Sequence, residues 1–144
     1  MSLQKIAHVP PPTVKADATV MDAVELMAEA GVGAVAVVEK DQLRGIFTER
    51  DVMLRVVLKN RNPSQTHLSE VMTSPAQTVT DDMPMEEALN FLLEKHIRHL
   101  PIVDREGRVQ AMLSLRNLLE HMVEYLEHEL HSLDQYLAND GPGG

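Results

Sequence analysis

The chain has 144 residues, 44% hydrophobic and 3% aromatic, with 13 Lys and Arg against 22 Asp and Glu, a formal charge of −9 and a pI near 5.1. Such length and apolar content suit one compact unit. The charge, with two Phe, two Tyr and no Trp, argues against a nucleic-acid partner, which needs clustered cations and stacking aromatics. The lack of cysteine removes disulfides, thiolate nucleophiles and Cys-based zinc sites. The first thirty residues carry no basic start followed by an apolar core, and the longest apolar run, residues 32–38, is far too short to cross a bilayer. A cytoplasmic protein with no membrane partner is the expectation.

Pro10, Pro11 and Pro12 lack amide donors and predict an extended opening segment. Thr19 reads as an N-cap, with Val20, Ala23, Val24, Met27 and Ala30 at helical spacing behind it and Gly31 as the C-cap. Residues 35–38 form an apolar run without alternation, which predicts a strand covered on both faces. A turn at Asp41 and Gln42 leads into a returning strand over residues 43–47. Thr48 then opens a helix expected to carry Val52, Met53, Val56 and Val57 inward. Residues 60–64, polar and containing Pro63, read as a hinge.

The plan then repeats. A helix is predicted from Pro84, with Ala88, Leu89, Leu92 and Leu93 as its buried stripe. Strands over residues 100–103 and 108–113 flank a turn at 104–107 that ends on Gly107. Past them, Leu115, Leu119, Met122, Leu126, Leu130, Leu133 and Leu137 recur at intervals of three and four, marking a long amphipathic helix that either packs onto its own domain or self-associates.

The two halves are copies. An offset of 65 carries Val14, Asp17, Val20, Ala23, Val24 and Val38 to Val79, Asp82, Met85, Ala88, Leu89 and Val103; after a one-residue insertion near Gly107 the sequence from Gly45 to Asp51 returns from Ala111 to Asn117. That period exceeds those of stacking solenoids and indicates a duplicated subdomain with two related pockets. The expected organisation is a first repeat over residues 8–62, a second over 66–122, a C-terminal amphipathic helix over 123–138 and a flexible tail over 139–144.

Read locally, Thr48 and Asp51 have the spacing of a capping box, worth about 1 kcal/mol. Ser114 can cap likewise, but Asn117 is an unusual reciprocal partner, so capping alone explains the second copy less well. The same residues suit a nucleotide: a hydroxyl and helix-start amides receive a phosphate, and a carboxylate three residues on accepts two ribose hydroxyls.

Gly45-Ile46-Phe47-Thr48-Glu49-Arg50-Asp51 resembles the Gly-hydrophobic-x-Thr/Ser-x-x-Asp/Asn motif of the tandem CBS domain family, named for cystathionine β-synthase. Val71-Met72-Thr73 and the stretch from Ile97 to Asp104 resemble that family's second repeat. The resemblance covers roughly residues 8 to 122. It implies an α/β fold of two pseudo-twofold-related β-α-β-β-α repeats, here with an extra amphipathic C-terminal helix. It also implies adenosyl ligands such as AMP, ADP, ATP, S-adenosylmethionine or a dinucleotide between the repeats.

By position, the resemblance gives Asp51 the ribose and Thr48 the phosphate of one site, with Gly45 allowing close backbone approach. Asn117 and Ser114 are their counterparts, and Ala111 stands in the glycine position. Arg98 and His99, matching Gly33 and Ala34, would supply a cation for a phosphate, or else Arg98 pairs with an acid and His99 packs at its strand start. Arg50 and Arg116 are further cationic candidates. Val14 and Val79 would be adenine walls or core.

His121, Glu124, Glu127, His128 and His131 share a helix face at chelating spacing, but without HExxH a solvated polar face explains them, and no metal is expected. No nucleophile elbow, Walker loop or GxGxxG is present, so an enzyme is not expected. The reading is a regulatory sensor of an adenosine-containing nucleotide, AMP, ADP or ATP before S-adenosylmethionine or NAD(H), with no required cofactor. It would act as a homodimer on a separate effector protein. The rival is a structural dimerisation adaptor with vestigial pockets.

Overall fold

The computed structural model describes residues 2–140. Of the tail expected over 139–144, residues 141–144 lie outside the described residues, and residues 139 and 140 continue the last helix. In the first half, β1 (Thr13–Lys15), α1 (Val20–Ala30), β2 (Ala34–Glu39) and β3 (Gln42–Thr48) form a three-stranded sheet of order β1-β2-β3, with β1 and β2 parallel and β2 and β3 antiparallel. Then α2 (Glu49–Asp51) runs into a π-helical stretch, Val52–Val57, and the short α3 (Leu68–Val71) follows. In the second half, α4 (Met85–Lys95), β4 (His99–Val103), β5 (Val109–Ser114) and α5 (Leu115–Asp140) repeat the arrangement. In place of β1, a single parallel bridge joins Val79 to Ile102.

The duplication holds down to register. Val14 pairs with Val37 as Val79 pairs with Ile102, and Ala34 with Thr48 as His99 with Ser114. Both hairpins carry a bulge at the same place, between Val37 and Val38 and between Ile102 and Val103. The inserted residue lies in the second turn, where Gly107 takes φ 81° and the Asp104 carboxylate accepts from the amides of Glu106 and Arg108. The first turn sits on Lys40 and Asp41, both at positive φ, one residue earlier than expected.

Each half contains its own core. Val20, Ala23, Met27, Val35, Val37, Phe47 and Val56 fill the first, and Ala88, Leu92, Leu100, Ile102, Leu113 and Leu118 the second. Between them Ala34, Ala36, Ile46 and Met112 pack together, so β2 is covered on both faces, as its unalternated apolar run predicts.

The halves also exchange their leading segments. Leu3 lies in the core of the second half, and its counterpart Leu68, 65 residues on, lies with Val71 in the core of the first. The backbone of His8 exchanges two hydrogen bonds with Met112 at 2.9 and 3.1 Å; its counterpart Thr73 exchanges two with Ile46 at 2.8 and 3.0 Å. Each half is thus completed by the start of the other. The segment expected as a hinge is fastened: the amides of Met21 and Val20 donate to the carbonyls of Pro63 and Thr66, and Thr66 is buried.

Two helices differ from expectation. After Asp51 the chain widens into the π-helical turn, which rotates the apolar face. Val56 is buried, Val52 half-buried, and Met53, Leu54, Val57 and Leu58 are exposed. On α4, Leu93 likewise faces out. α5 packs on its own domain only through its first turns, where Leu118 is buried, and residues 123–138 are exposed. Among the described residues no helix is long and apolar enough to cross a membrane.

Leu68→Ala removes a fully buried side chain from the core of the half it crosses into, and a cost of about 2–5 kcal/mol in urea denaturation is expected. A cost below about 1 kcal/mol would show that the exchanged segment is not part of that core.

Candidate functional site

The return of β3 into α2 places Thr48 as an N-cap. Its hydroxyl accepts from the Asp51 amide at 3.2 Å, and its own amide donates to Asp51 Oδ2 at 3.0 Å. The second copy is closed identically: the Asn117 amide donates to Ser114 Oγ and the Ser114 amide to Asn117 Oδ1, both at 3.0 Å. Asn117 therefore serves as the reciprocal partner despite its rarity there, because its carbonyl oxygen takes the carboxylate's place.

Asp51 has a further partner. The exchanged segment brings the Thr73 hydroxyl to its carboxylate, donating at 3.0 Å to Oδ1 and 3.3 Å to Oδ2, and Arg55 Nε stands 3.6 Å from Oδ1. Arg55 also donates to the carbonyls of Met72 and Val71, so it clamps the crossing segment to the helix. Asp51 is 6% exposed. A carboxylate offers about four acceptor positions, and these contacts leave it capacity for an added hydroxyl. Thr73 and Arg55 were not identified from the sequence as site residues. The i+4 spacing of Arg55 from Asp51 was a readable signal, whereas Thr73 reaches the site only through the exchange.

Gly45 has a different reason from the expected one. A Cβ there would lie 2.7 Å from the Thr73 carbonyl oxygen and 2.8 Å from Met72 Sδ, so its bare backbone admits the crossing segment. In the second copy Ala111 fills this position and is fully buried, and Ala7 stands where the first copy has Met72; the smaller side chain leaves room for the extra methyl.

The two halves also meet through charged and polar groups. A Cβ on Gly33 would lie 2.6 Å from Glu49 Oε1 and 3.1 Å from His99 Cε1, so the glycine lets the first half's carboxylate approach the second half's imidazole. Arg50 Nη1 donates to the His96 carbonyl at 3.3 Å, tying α2 to the turn after α4. Arg98 is exposed beside His99, and Arg116 pairs with Glu120 at 2.7 Å. Burial holds the His99 imidazole below its ordinary value of 6.5, Glu49 opposing and Arg98 reinforcing that shift. Val79 packs in the second core, and Val14 packs half-buried against the first. The structure thus gathers Thr48, Asp51 and Gly45 with Thr73, and sets Arg50 and His99 between the halves.

A sequence-family model for the CBS domain matches residues 3–58 and 68–124. A protein of Methanopyrus kandleri is 36% identical over 115 residues, covering 77% of this chain and 59% of its own length. This chain therefore spans about three fifths of that relative. A structure of a protein with CBS domains from Burkholderia ambifaria superposes with a TM-score of 0.78 at 32% identity, covering 86% of this chain and 95% of that one. Two more distant structures share the fold. The CBS domain pair of MJ0100 in complex with 5-methylthioadenosine and S-adenosyl-L-methionine has a TM-score of 0.79 at 20% identity, covering 87% and 98% of the two chains. CBSX2 in complex with AMP has 0.73 at 23%, covering 86% and 97%.

Two expectations follow from the geometry. Asp51→Ala removes a cap and the Thr73 bond together and should cost about 1–3 kcal/mol in urea denaturation, whereas Asp51→Asn, which reproduces the second copy, should cost less; equal costs would refute this account. For His99 the depressed value means that the unfolded chain binds the proton first, so its contribution is full above about pH 6.5 and is lost as the pH falls. The melting temperature of the wild type should fall on acidification from about pH 7.5 to about pH 5. His99→Gln should flatten the upper part of that fall, and parallel profiles would remove His99 as its source.

Proposed function

Because the chain belongs to the CBS domain family, as a tandem pair of repeats, we propose that it is a regulatory module that binds an adenosine-containing nucleotide between its repeats. The observation that carries this reading is the Thr48, Asp51 and Thr73 cluster: one half supplies the helix start and carboxylate, and the segment leading into the other half supplies the second hydroxyl. A ligand seated there touches both halves. It can therefore stabilise one relative arrangement over another, by as much as it binds that arrangement better. The ligands of CBSX2 and the MJ0100 pair, AMP and S-adenosyl-L-methionine, support the adenosine class.

In this reading Asp51 and Thr73 receive the ribose hydroxyls, and the Thr48 hydroxyl and Arg98 receive a phosphate, with Arg50 beside them. Glu49 stands at the same end, facing His99. Its charge opposes each added phosphate and favours AMP over ATP. Ser114 and Asn117 form the second site, where an uncharged amide replaces the carboxylate and weakens ribose binding. The function is sensing rather than catalysis, in the cytoplasm, as a homodimer whose changed surface is read by a separate effector protein. The exposed apolar stripe of α5 favours the adaptor reading as the alternative, in which association is the function and the clefts are vestigial.

Isothermal calorimetry with AMP, ADP, ATP and S-adenosylmethionine separates the two. AMP binding is expected, weakened about 5- to 150-fold by Asp51→Asn, since charged hydrogen bonds are worth about 1–3 kcal/mol. Glu49→Gln should narrow the gap between AMP and ATP. No heat from any of the four at millimolar concentration, with the protein folded, would leave the adaptor reading standing.

A further inference from the structure

The two copies of the motif differ in the sign of their charge. Thr48-Glu49-Arg50-Asp51 holds two carboxylates and one guanidinium, whereas Ser114-Leu115-Arg116-Asn117 holds the guanidinium alone. Both helix starts are closed by the same reciprocal cap, so the difference lies in what each offers a ligand and not in the backbone.

The neighbours differ in the same sense. Beside Asp51 stand the Thr73 hydroxyl, donating at 3.0 Å, and Arg55. The duplication puts histidine in both places. His8 is the counterpart of Thr73, since its backbone pairs with Met112 as that of Thr73 pairs with Ile46. His121 is the counterpart of Arg55, four residues past Asn117 and on the same face of α5. The Asn117 carbonyl oxygen accepts from the Ser114 amide at 3.0 Å. Its side-chain N–H groups and the two imidazoles take part in no side-chain hydrogen bond or ion pair among the described residues.

A ribose diol calls for an acceptor, which the Asp51 carboxylate supplies. The second site is instead a set of donors: an amide, two imidazole N–H groups and Arg116. Glu120 holds Arg116 at 2.7 Å, but that pair is exposed and of little strength. Donors without a carboxylate suit an anion at the place where the first site takes two hydroxyls. Dinucleotide sites make the same exchange: an acidic residue takes a free ribose hydroxyl, and a cation in the neighbourhood takes a phosphorylated one.

We propose that His8, Ser114, Arg116, Asn117 and His121 select a nucleotide whose ribose carries a phosphate on its 2′ or 3′ oxygen. Asp51 and Glu49 exclude such a ligand from the first site, because like charges brought together are strongly unfavourable. This selectivity rests on the nucleotide reading above and adds a second ligand class to it.

Isothermal calorimetry of the full chain with AMP, adenosine 2′,5′-bisphosphate and adenosine 3′,5′-bisphosphate tests it. One bisphosphate is expected to bind at one equivalent per chain, and the better of the two identifies the oxygen. Asn117→Asp, which restores the carboxylate of the first copy, should weaken it by about tenfold or more. His8→Thr should weaken it by about 2- to 12-fold, the equivalent of one hydrogen bond; at an exposed position, it keeps the test decisive if Asn117→Asp alters the melting temperature. AMP binding without binding of either bisphosphate would overturn the selectivity and leave the sensor reading standing, whereas no binding of any of the three would overturn both. A bisphosphate whose affinity is the same in wild type and both variants sits elsewhere, and that result also overturns the assignment.

Discussion

Leu3 and Leu68 each complete a core to which their own half does not belong, and the two backbone pairings beside them, His8 with Met112 and Thr73 with Ile46, make the exchange reciprocal. Burying a leucine contributes about 1.5–3 kcal/mol, a large share of a small domain's net stability. Neither half can give up its leading segment without opening the core of the other, so the two are expected to fold as one cooperative unit. The same crossing builds the candidate site, because it carries the Thr73 hydroxyl to the Asp51 carboxylate.

Asp51 consequently has two structural duties before any ligand arrives: it caps α2 and it anchors the crossing segment, with Arg55 holding that segment's carbonyls from the other side. In the proposed function a ligand joining this cluster would add to a network already under geometric constraint, which lowers the ordering cost of binding. It also links occupancy to the contact between the halves. The second copy keeps the cap but uses an amide in place of the carboxylate, so the two helix starts share a backbone plan and differ in charge. Glu49 and His99 deepen that asymmetry, since their counterparts Leu115 and Ala34 carry no charge.

Four residues show how packing overrides a reading made from the sequence. Gly45 reads from its motif as an allowance for a ligand, yet its missing Cβ is what admits Met72 and Thr73. Met53 and Val57 read as inward on an α-helical wheel, and the π-helical turn puts them in solvent. Leu93 falls in the predicted stripe of α4 and lies at its exposed edge. In each case the residue types were legible and their surroundings were not.

The duplication, both hairpins, the capping residues and the amphipathic stripe of α5 all follow from the sequence by itself, because each depends on local periodicity, turn chemistry or a short motif. Gly31 and Gly107 were readable for the same reason, and both take the positive φ their turns require. What only the tertiary structure decided is which half each leading segment completes, that Thr73 and Arg55 attend Asp51, and that Glu49 of one half meets His99 of the other. Those contacts join residues far apart in the chain, and nothing local to Leu3 or Thr73 distinguishes packing within a repeat from packing across to its twin. The two cores are near-copies with the same periodicity, so a sequence pattern satisfied equally by either destination cannot choose between them; the connectivity and space-filling of the folded pair do.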